Sequence, residues 1–401
     1  MNPIKTIAFR SYQKTLYLLS KLIHFPIPEV FHNLNDILEI LKKEEKTKPV
    51  LIAGKTVSKK EEVVSLIRLL QDNNISPFLY DRVSSDPDRK SIEDLATFYR
   101  SNGCDCIIAI GGGSSMDAGK ALAVRLLYPR KPLEKFTGIL KVRKKTPLLI
   151  ACATTAGTGS EATICSVITQ EEENYKFAIS DPVLTPKYAI LDDRFLKSLP
   201  KKVIADCGMD ALCHALEAYL SCSSTPLTRE YSLTALKLIH ENLASFYLDS
   251  SNQDAGKAML EASFDAGVSF TRAYVGYVHA LAHAIGGRYH IAHGRCIAIL
   301  LPYVLRAYRK KAERRLSEVY DVFYPDKKDV SMRSKADMLI SEIEDMNRRM
   351  DIPSSFQGQL KKEDFASLSR RAYKEANPLY PVPRLLDQEE LMNILIQANH
   401  A

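Results

Sequence analysis

The chain has 401 residues, 46% apolar and 26% charged, the balance of an ordinary globular protein, and it is too long for a single core, so two domains are expected. Its net charge of +7 is mild for this length, and no apolar run approaches the roughly 18 residues a membrane helix needs. Basic clusters at 142–145, 309–315 and 370–371 lack aromatic interleaving and read as solvated faces, so neither a nucleic-acid nor a membrane partner is expected.

Residues 1–28 carry Lys5, Arg10, Lys14 and Lys21 and no acid before Glu29. That pattern suits a targeting or interfacial helix, but Tyr12, Tyr17 and His24 dilute it, and residues 1–30 are read as a helical extension covering part of the core. Strands are predicted at 50–53 (VLIA), 77–81 (PFLYD), 106–110 (CIIAI) and 148–155 (LLIACATT), with amphipathic helices at 60–73 and 90–102 and a helical run after CIIAI. Strands alternating with helices imply a parallel sheet, whose ligands bind beyond the carboxyl ends of the strands. Residues 189–196 (AILDDRFL) end this half, and SLPKK marks the boundary. Beyond it the pattern is helical throughout, at 203–221, 226–248, 253–271, 276–287, 295–308, 310–322 and 334–350, with no comparable strand signal. The expected organisation is an α/β N-terminal domain over 1–200 and an all-α C-terminal domain over 201–401. Eight scattered cysteines without a C-x-x-C pair fit a reduced, cytoplasmic protein.

Two glycine turns carry the first chemical signal. Gly111-Gly112-Gly113-Ser114 leaves the CIIAI strand and opens a helix, where free N–H groups face an anion such as a pyrophosphate. Gly157-Thr158-Gly159 and Ala162 match a relaxed G-x-G-x-x-A spacing after the 148–155 strand. No G-K-[ST] follows either turn, which excludes a Walker loop.

The second signal is a set of one acid and several histidines. Asp210 and His214 stand four apart in GMDALCHALEAYL, and His279 and His283 repeat that spacing in GYVHALAHAIGG; four residues put each pair on one helix face. Gly286 and Gly287 read as a helix stop, with His290 and His293 in the loop that follows and Gly294 opening the next helix. An Asp inside an apolar helix is costly unless paired or bound to metal. Imidazole with carboxylate suits zinc, iron or another first-row ion, and the spacing does not choose among them.

GGGSSMDAGKA (111–121), TTAGTGSEA (154–162), GMDALCHALEAY (208–219) and VHALAHAIGGRYHIAHG (278–294) fall in one order and spacing. Together they resemble the iron-containing (group III) alcohol dehydrogenases, a likeness that covers the chain from Pro49 on. YQKTLYLL and NPLYPVPR (377–384) resemble one branch of that family. The resemblance implies a Rossmann-like N-terminal domain, a helical metal-binding domain and a cleft between them. It implies that Asp210, His214, His279 and His293 hold a divalent metal, Fe2+ ahead of Zn2+, and that His283 lies near the substrate and nicotinamide as the catalytic residue. It further implies that Gly111, Gly112, Gly113 and Ser114 grip the pyrophosphate of NAD(P), and that Asp117, Thr154, Thr155, Thr158, Thr163 and Lys176 belong to the cofactor site. Family members are often dimers or larger, so a homo-oligomer is expected.

Three departures stand out. Ala292 replaces a usual Pro before the last metal histidine, and Asp86-Pro87-Asp88 stands where the family has N-P-T, which makes Asp86 an adenosine-side candidate. Gly54 occupies the place of an Asp that binds the adenosine ribose, with Lys55, Lys59 and Lys60 close by. The expected activity is hydride transfer between a small alcohol or aldehyde and NAD(P). A glycerol-dehydrogenase-like or other polyol or hydroxy-acid dehydrogenase, the phosphate-eliminating dehydroquinate synthase, and a non-catalytic metal-binding scaffold are the competing readings. The apolar surroundings of the metal helices, with Arg288 and Arg295 the main exceptions, argue against the synthase.

Overall fold

The computed structural model describes residues 2–84, 86–170, 175–327 and 329–400, with the side chains of Gln170, Tyr175 and Lys176 outside the described set. It forms two compact units, Phe25–Ser198 and a second made of Met1–His24 with Leu199–Ala401.

The first helix, α1 (Pro3–Ser20), belongs to the second unit. The α/β unit contains β1 (Glu29–Phe31), β2 (Pro49–Ile52), β3 (Phe78–Tyr80), β4 (Cys106–Gly111), β5 (Gly138–Ile139), β6 (Leu149–Ala153), β7 (Cys165–Gln170), β8 (Tyr175–Ser180) and β9 (Tyr188–Ile190), with α2 (Ile37–Lys43), α3 (Glu61–Asp72), α4 (Arg89–Ser101) and α5 (Gly113–Leu127). Six strands make one parallel sheet in the order β1-β9-β6-β4-β2-β3. Strands β4 and β6 sit inside it and are buried at every residue, which is why they read as continuous apolar runs rather than alternating ones. Helix α4 starts on a capping box between Asp88 and Ser91, and Leu66, Leu70, Ile108 and Ile150 lie in the core.

The sequence reading missed the second, three-stranded sheet β5-β8-β7, in which β7 and β8 form an antiparallel hairpin. It also missed the short strands β1 and β9; three residues are too few to show a period.

The helical unit continues with α6 (Lys201–Leu220), α7 (Pro226–Leu248), α8 (Gln253–Ala273), α9 (Tyr277–Tyr289), α10 (His293–Phe323), α11 (Met332–Arg349), α12 (Phe365–Ala376) and α13 (Gln388–His400). Two expectations change. The glycine pair does not stop α9, which runs through Gly286 and Gly287 to Tyr289 and is capped by His290 at φ 55°. The expected helices at 295–308 and 310–322 are one 31-residue helix that passes through Pro302.

Proline at that point removes the N–H that would bond the Ala298 carbonyl. The Asn347 side chain from α11 supplies the donor instead, Nδ2 to Ala298 O at 2.7 Å. The placement of residues 1–30 in the α/β domain also changes: α1 groups with the helical unit because Arg10 and Gln13 bond backbone carbonyls between 378 and 383.

Asn347→Leu leaves the buried Ala298 carbonyl without a donor and is expected to cost about 1–3 kcal/mol. Urea unfolding of the helical unit measures it, and a cost near zero would show that Pro302 needs no compensating donor.

Candidate metal centre and glycine turns

Helix α6 carries Asp210, His214 and Glu217 at intervals that share one face. From Gly208 to Leu220 every residue is buried, because small residues let the neighbouring helices close in. A Cβ on Gly208 would lie 2.3 Å from Leu243 Cδ1 of α7. A Cβ on Gly294 would lie 2.2 Å from the Asp206 carbonyl, so α10 begins hard against α6. That approach fixes His293 as the first residue of α10 rather than a loop residue.

Three imidazole nitrogens converge on one oxygen. Asp210 Oδ1 lies 3.6 Å from His279 Nε2, 3.5 Å from His293 Nε2 and 3.8 Å from His214 Nδ1. These distances are too long for hydrogen bonds. They suit ligands sharing a cation, since donors about 2.1 Å from one tetrahedral ion sit about 3.4 Å apart. Asp210 Oδ1 and His279 Nε2 are buried and without a hydrogen-bond partner among the described residues, an arrangement that is costly unless an ion lies between them. Asp210, His279 and His293 present potential ligand atoms that all lie within 4.8 Å of one another. His214 joins it from the side, its ring stacked between Phe270 (4.2 Å) and His279 (4.4 Å). Burial opposes ionisation of Asp210, but the facing imidazoles of His214, His293 and His279 outweigh it and hold the carboxyl well below its ordinary value. The donor set therefore fits a divalent metal: one anionic oxygen and three imidazoles.

Glu217 stands behind this cluster. Its Oε2 accepts from His279 Nδ1 at 2.7 Å and from Gly276 N at 2.6 Å, and its Oε1 accepts from Val278 N at 3.0 Å. A carboxylate only accepts, so His279 Nδ1 carries the hydrogen and Nε2 faces the cluster with its lone pair. A Cβ on Gly276 would lie 2.5 Å from Glu217 Oε1, so this glycine is what lets the carboxylate reach the start of α9.

His283 is one turn beyond His279, exposed, with its ring stacked on His293 at 5.1 Å. It stands beside the cluster, not in it, and its Nδ1 bonds Glu375 Oε1 at 2.7 Å.

In the α/β unit the two glycine turns adjoin. Gly111 pairs with Ala153 across β4 and β6, and Thr154 N donates to Gly111 O at 3.1 Å. A Cβ on Gly112 would meet Thr155 Oγ1 at 3.1 Å, and one on Gly113 would meet Thr158 Cγ2 at 3.3 Å. The turns thus form one platform where α5 begins, with no side chain capping that helix. Gly159 takes the left-handed conformation, φ 59°.

Lys120 ties the platform together. Fully buried, its Nζ donates to Ser160 O at 2.7 Å, Thr163 Oγ1 at 2.7 Å and Cys165 O at 2.9 Å. Burial lowers its pKa to about 8 and raises that of the neighbouring Glu161 to about 7. Thr163 and Thr154 are buried, and the Thr163 hydroxyl is engaged by this lysine; Thr155, Thr158, Ser114 and Asp117 are half-buried. Lys176 lies on β8 with its side chain outside the described residues.

Gly54 follows β2, and a Cβ there would meet only the Val83 carbonyl at 3.7 Å. Lys55 and Lys59 are exposed beside it. Lys60 is committed elsewhere, to Phe195 O and Ser198 Oγ. Asp86 is exposed after β3.

The sequence reading missed Glu217, Lys120 and Glu375. Glu217 had a signal, since it continues the Asp210–His214 face as a third polar residue in an apolar helix. Glu375, distant in sequence from His283, had none.

Residues 30–193 match iron-containing alcohol dehydrogenase, and residues 204–399 match the C-terminal domain of that family. Alcohol dehydrogenase 4 of Saccharomyces cerevisiae is 35% identical over 77% of this chain and 80% of its own length. The NADPH-dependent butanol dehydrogenase of Clostridium saccharobutylicum is 30% identical over 93% and 97%. The solved structure of an alcohol dehydrogenase from Oenococcus oeni superposes with a TM-score of 0.90 at 31% identity, covering 94% of this chain and 99% of that one. A parallel α/β unit with paired glycine turns and a helical unit with an Asp/His cluster are the two halves of a metal-dependent dehydrogenase. The chain belongs to the iron-containing alcohol dehydrogenase family and is an NAD(P)-dependent alcohol oxidoreductase.

Glu217→Gln places an NH2 group against backbone N–H donors or the imidazole N–H. It is expected to weaken metal affinity by about 10–100-fold while the helical content stays the same. Competition with a chromophoric chelator measures this; affinity equal to wild type would remove Glu217 from the support of His279.

Proposed function

We propose that the chain interconverts a small alcohol and its aldehyde with Asp210, His214, His279 and His293 holding one Fe2+, and that His283 handles the proton. The convergence of three imidazole nitrogens on the single oxygen of Asp210 carries this reading. A metal held by these four residues would supply Lewis acidity toward a substrate oxygen, and a bound nicotinamide would supply the hydride chemistry. Asp210 contributes the one negative charge among the four ligands. Glu217 presents His279 by Nε2. His283, exposed and one turn on, offers a nitrogen that can hold or pass the alcohol proton.

On the α/β unit, the uncapped start of α5 and the backbone of Gly111, Gly112, Gly113 and Ser114 suit a pyrophosphate. Thr154, Thr155, Thr158, Asp117 and Lys176 are assigned to the cofactor's surroundings, and Thr163 acts there through Lys120. Asp86 is assigned to the adenosine side. The reading includes a cytoplasmic location, which fits eight free cysteines, and a homo-oligomer, which fits the exposed apolar side chains of Ile4, Ile7 and Leu18 on α1 and of Leu22 just after it. No helix among the described residues is long and apolar enough to cross a membrane.

Alanine at Asp210, His214, His279 or His293 is expected to strip the metal and most turnover. Elemental analysis of each purified variant beside its kcat tests this, and full metal with full turnover in two of them refutes the ligand set.

We further propose that NADP(H) is accepted. The empty place at Gly54 lacks the carboxylate that would repel a 2′-phosphate, and Lys55 and Lys59 provide charge to pair with it. Gly54→Asp is expected to shift preference toward NAD(H). The kcat/KM values for both cofactors decide it: a wild type that strongly prefers NAD(H), unchanged by the added carboxylate, contradicts the assignment.

A further inference from the structure

We propose that Glu375 is a positioning residue for His283, and that the N-terminal helix α1 holds the segment that keeps Glu375 in place. The inference rests on the reading of His283 as the proton-handling group.

The His283 side chain is 42% exposed, so burial alone does not fix its ring. Two contacts do. One face stacks on His293, with the planes 18° apart, and Nδ1 lies 2.7 Å from Glu375 Oε1. Because a carboxylate only accepts, Nδ1 is the nitrogen that carries the hydrogen, and Nε2 is left with the lone pair. The same Glu375 oxygen accepts from the Tyr380 hydroxyl at 2.9 Å. Two donors on one oxygen hold the carboxylate in a single orientation, so the tautomer and tilt of His283 follow from where Tyr380 sits.

Tyr380 lies in the segment joining α12 to α13, and that segment is tied down from the far end of the sequence. The Gln13 amide donates to Pro378 O at 3.0 Å and to Tyr380 O at 2.8 Å. The Arg10 guanidinium donates to Val382 O at 2.7 Å and Pro383 O at 3.2 Å, and also to Gln13 Oε1 at 2.9 Å. Gln13 is the buried residue of α1, an unusual place for an amide unless its bonds are needed. The contacts therefore run from α1 to the 378–383 backbone, then through Tyr380 and Glu375 to His283. A surface ion pair of no consequence would not have its acid held by a second donor or its loop pinned at four carbonyls.

The test uses the full-length, metal-loaded enzyme. Glu375→Ala is expected to lower kcat by about 10–100-fold with metal content and the KM for alcohol nearly unchanged. In a His283→Ala background the same change is expected to add nothing, because it acts only through that ring. Gln13→Met is expected to lower kcat by a smaller factor and to add nothing to Glu375→Ala. Should Glu375→Ala fold poorly, Tyr380→Phe removes a single hydroxyl and is expected to show the same non-additivity with His283→Ala. A readout independent of turnover is the ¹⁵N shift of the His283 ring nitrogens, assigned by difference from His283→Ala, which is expected to move toward a mixture of tautomers in Glu375→Ala. Losses that multiply with His283→Ala, or unmoved ring nitrogens, overturn the positioning role. If His283→Ala alone leaves kcat unchanged, the proton-handling reading fails separately, since the nitrogen shifts still report whether Glu375 orients the ring.

Discussion

Helix α6 buries three carboxylates, Asp206, Asp210 and Glu217, and the arrangement of the helical unit answers above all to the last two. A buried carboxylate is tolerated only where donors or a cation reach it. Glu217 is satisfied by the first N–H groups of α9 and by the back of His279. Asp210 is faced by three imidazoles at distances that leave space for an ion. The glycines at 208, 276 and 294 are the steric counterpart of the same requirement, since each allows an approach that a Cβ would block.

The α/β unit solves a parallel problem with opposite charge. The pyrophosphate proposed for it would need exposed backbone N–H groups, and the two glycine turns lie side by side where α5 begins. Lys120 makes this possible from beneath, donating to Ser160, Thr163 and Cys165 with no part of its ammonium exposed. The buried lysine serves as a rivet for the loop, which leaves the outer side chains available to the proposed cofactor.

Long periodic segments were legible in the sequence: β2, β3, β4 and β6 with their helices, and α6 to α8 nearly to the residue. So were the facing pairs Asp210–His214 and His279–His283, because helical spacing alone determines which residues share a face. The hairpin β7–β8 was overlooked because Cys165–Gln170 and Tyr175–Ser180 do not alternate cleanly in sequence: Val167 and Ile168 are adjacent, as are Phe177, Ala178 and Ile179. Gly286 and Gly287 misled, because packing sustained α9 through two residues of poor helix propensity. Pro302 likewise stands within α10 because a donor 45 residues away replaces the missing N–H. The bonds of Glu375 and Gln13 join positions far apart in sequence, and no local pattern encodes such pairings.

The ligands proposed for the metal sit on α6, α9 and α10, and α10 packs against both of the other helices through buried apolar side chains. A metal held there would join a helical unit with an extensive apolar core of its own, unlike small metal-nucleated domains in which binding and folding are one event. For such a protein, loading is a question of exchange: the occupant reflects the relative availability of divalent ions around the finished polypeptide more than any choice made during folding. A chain built this way would gain, lose or swap its ion without unfolding, and its activity would follow the occupant.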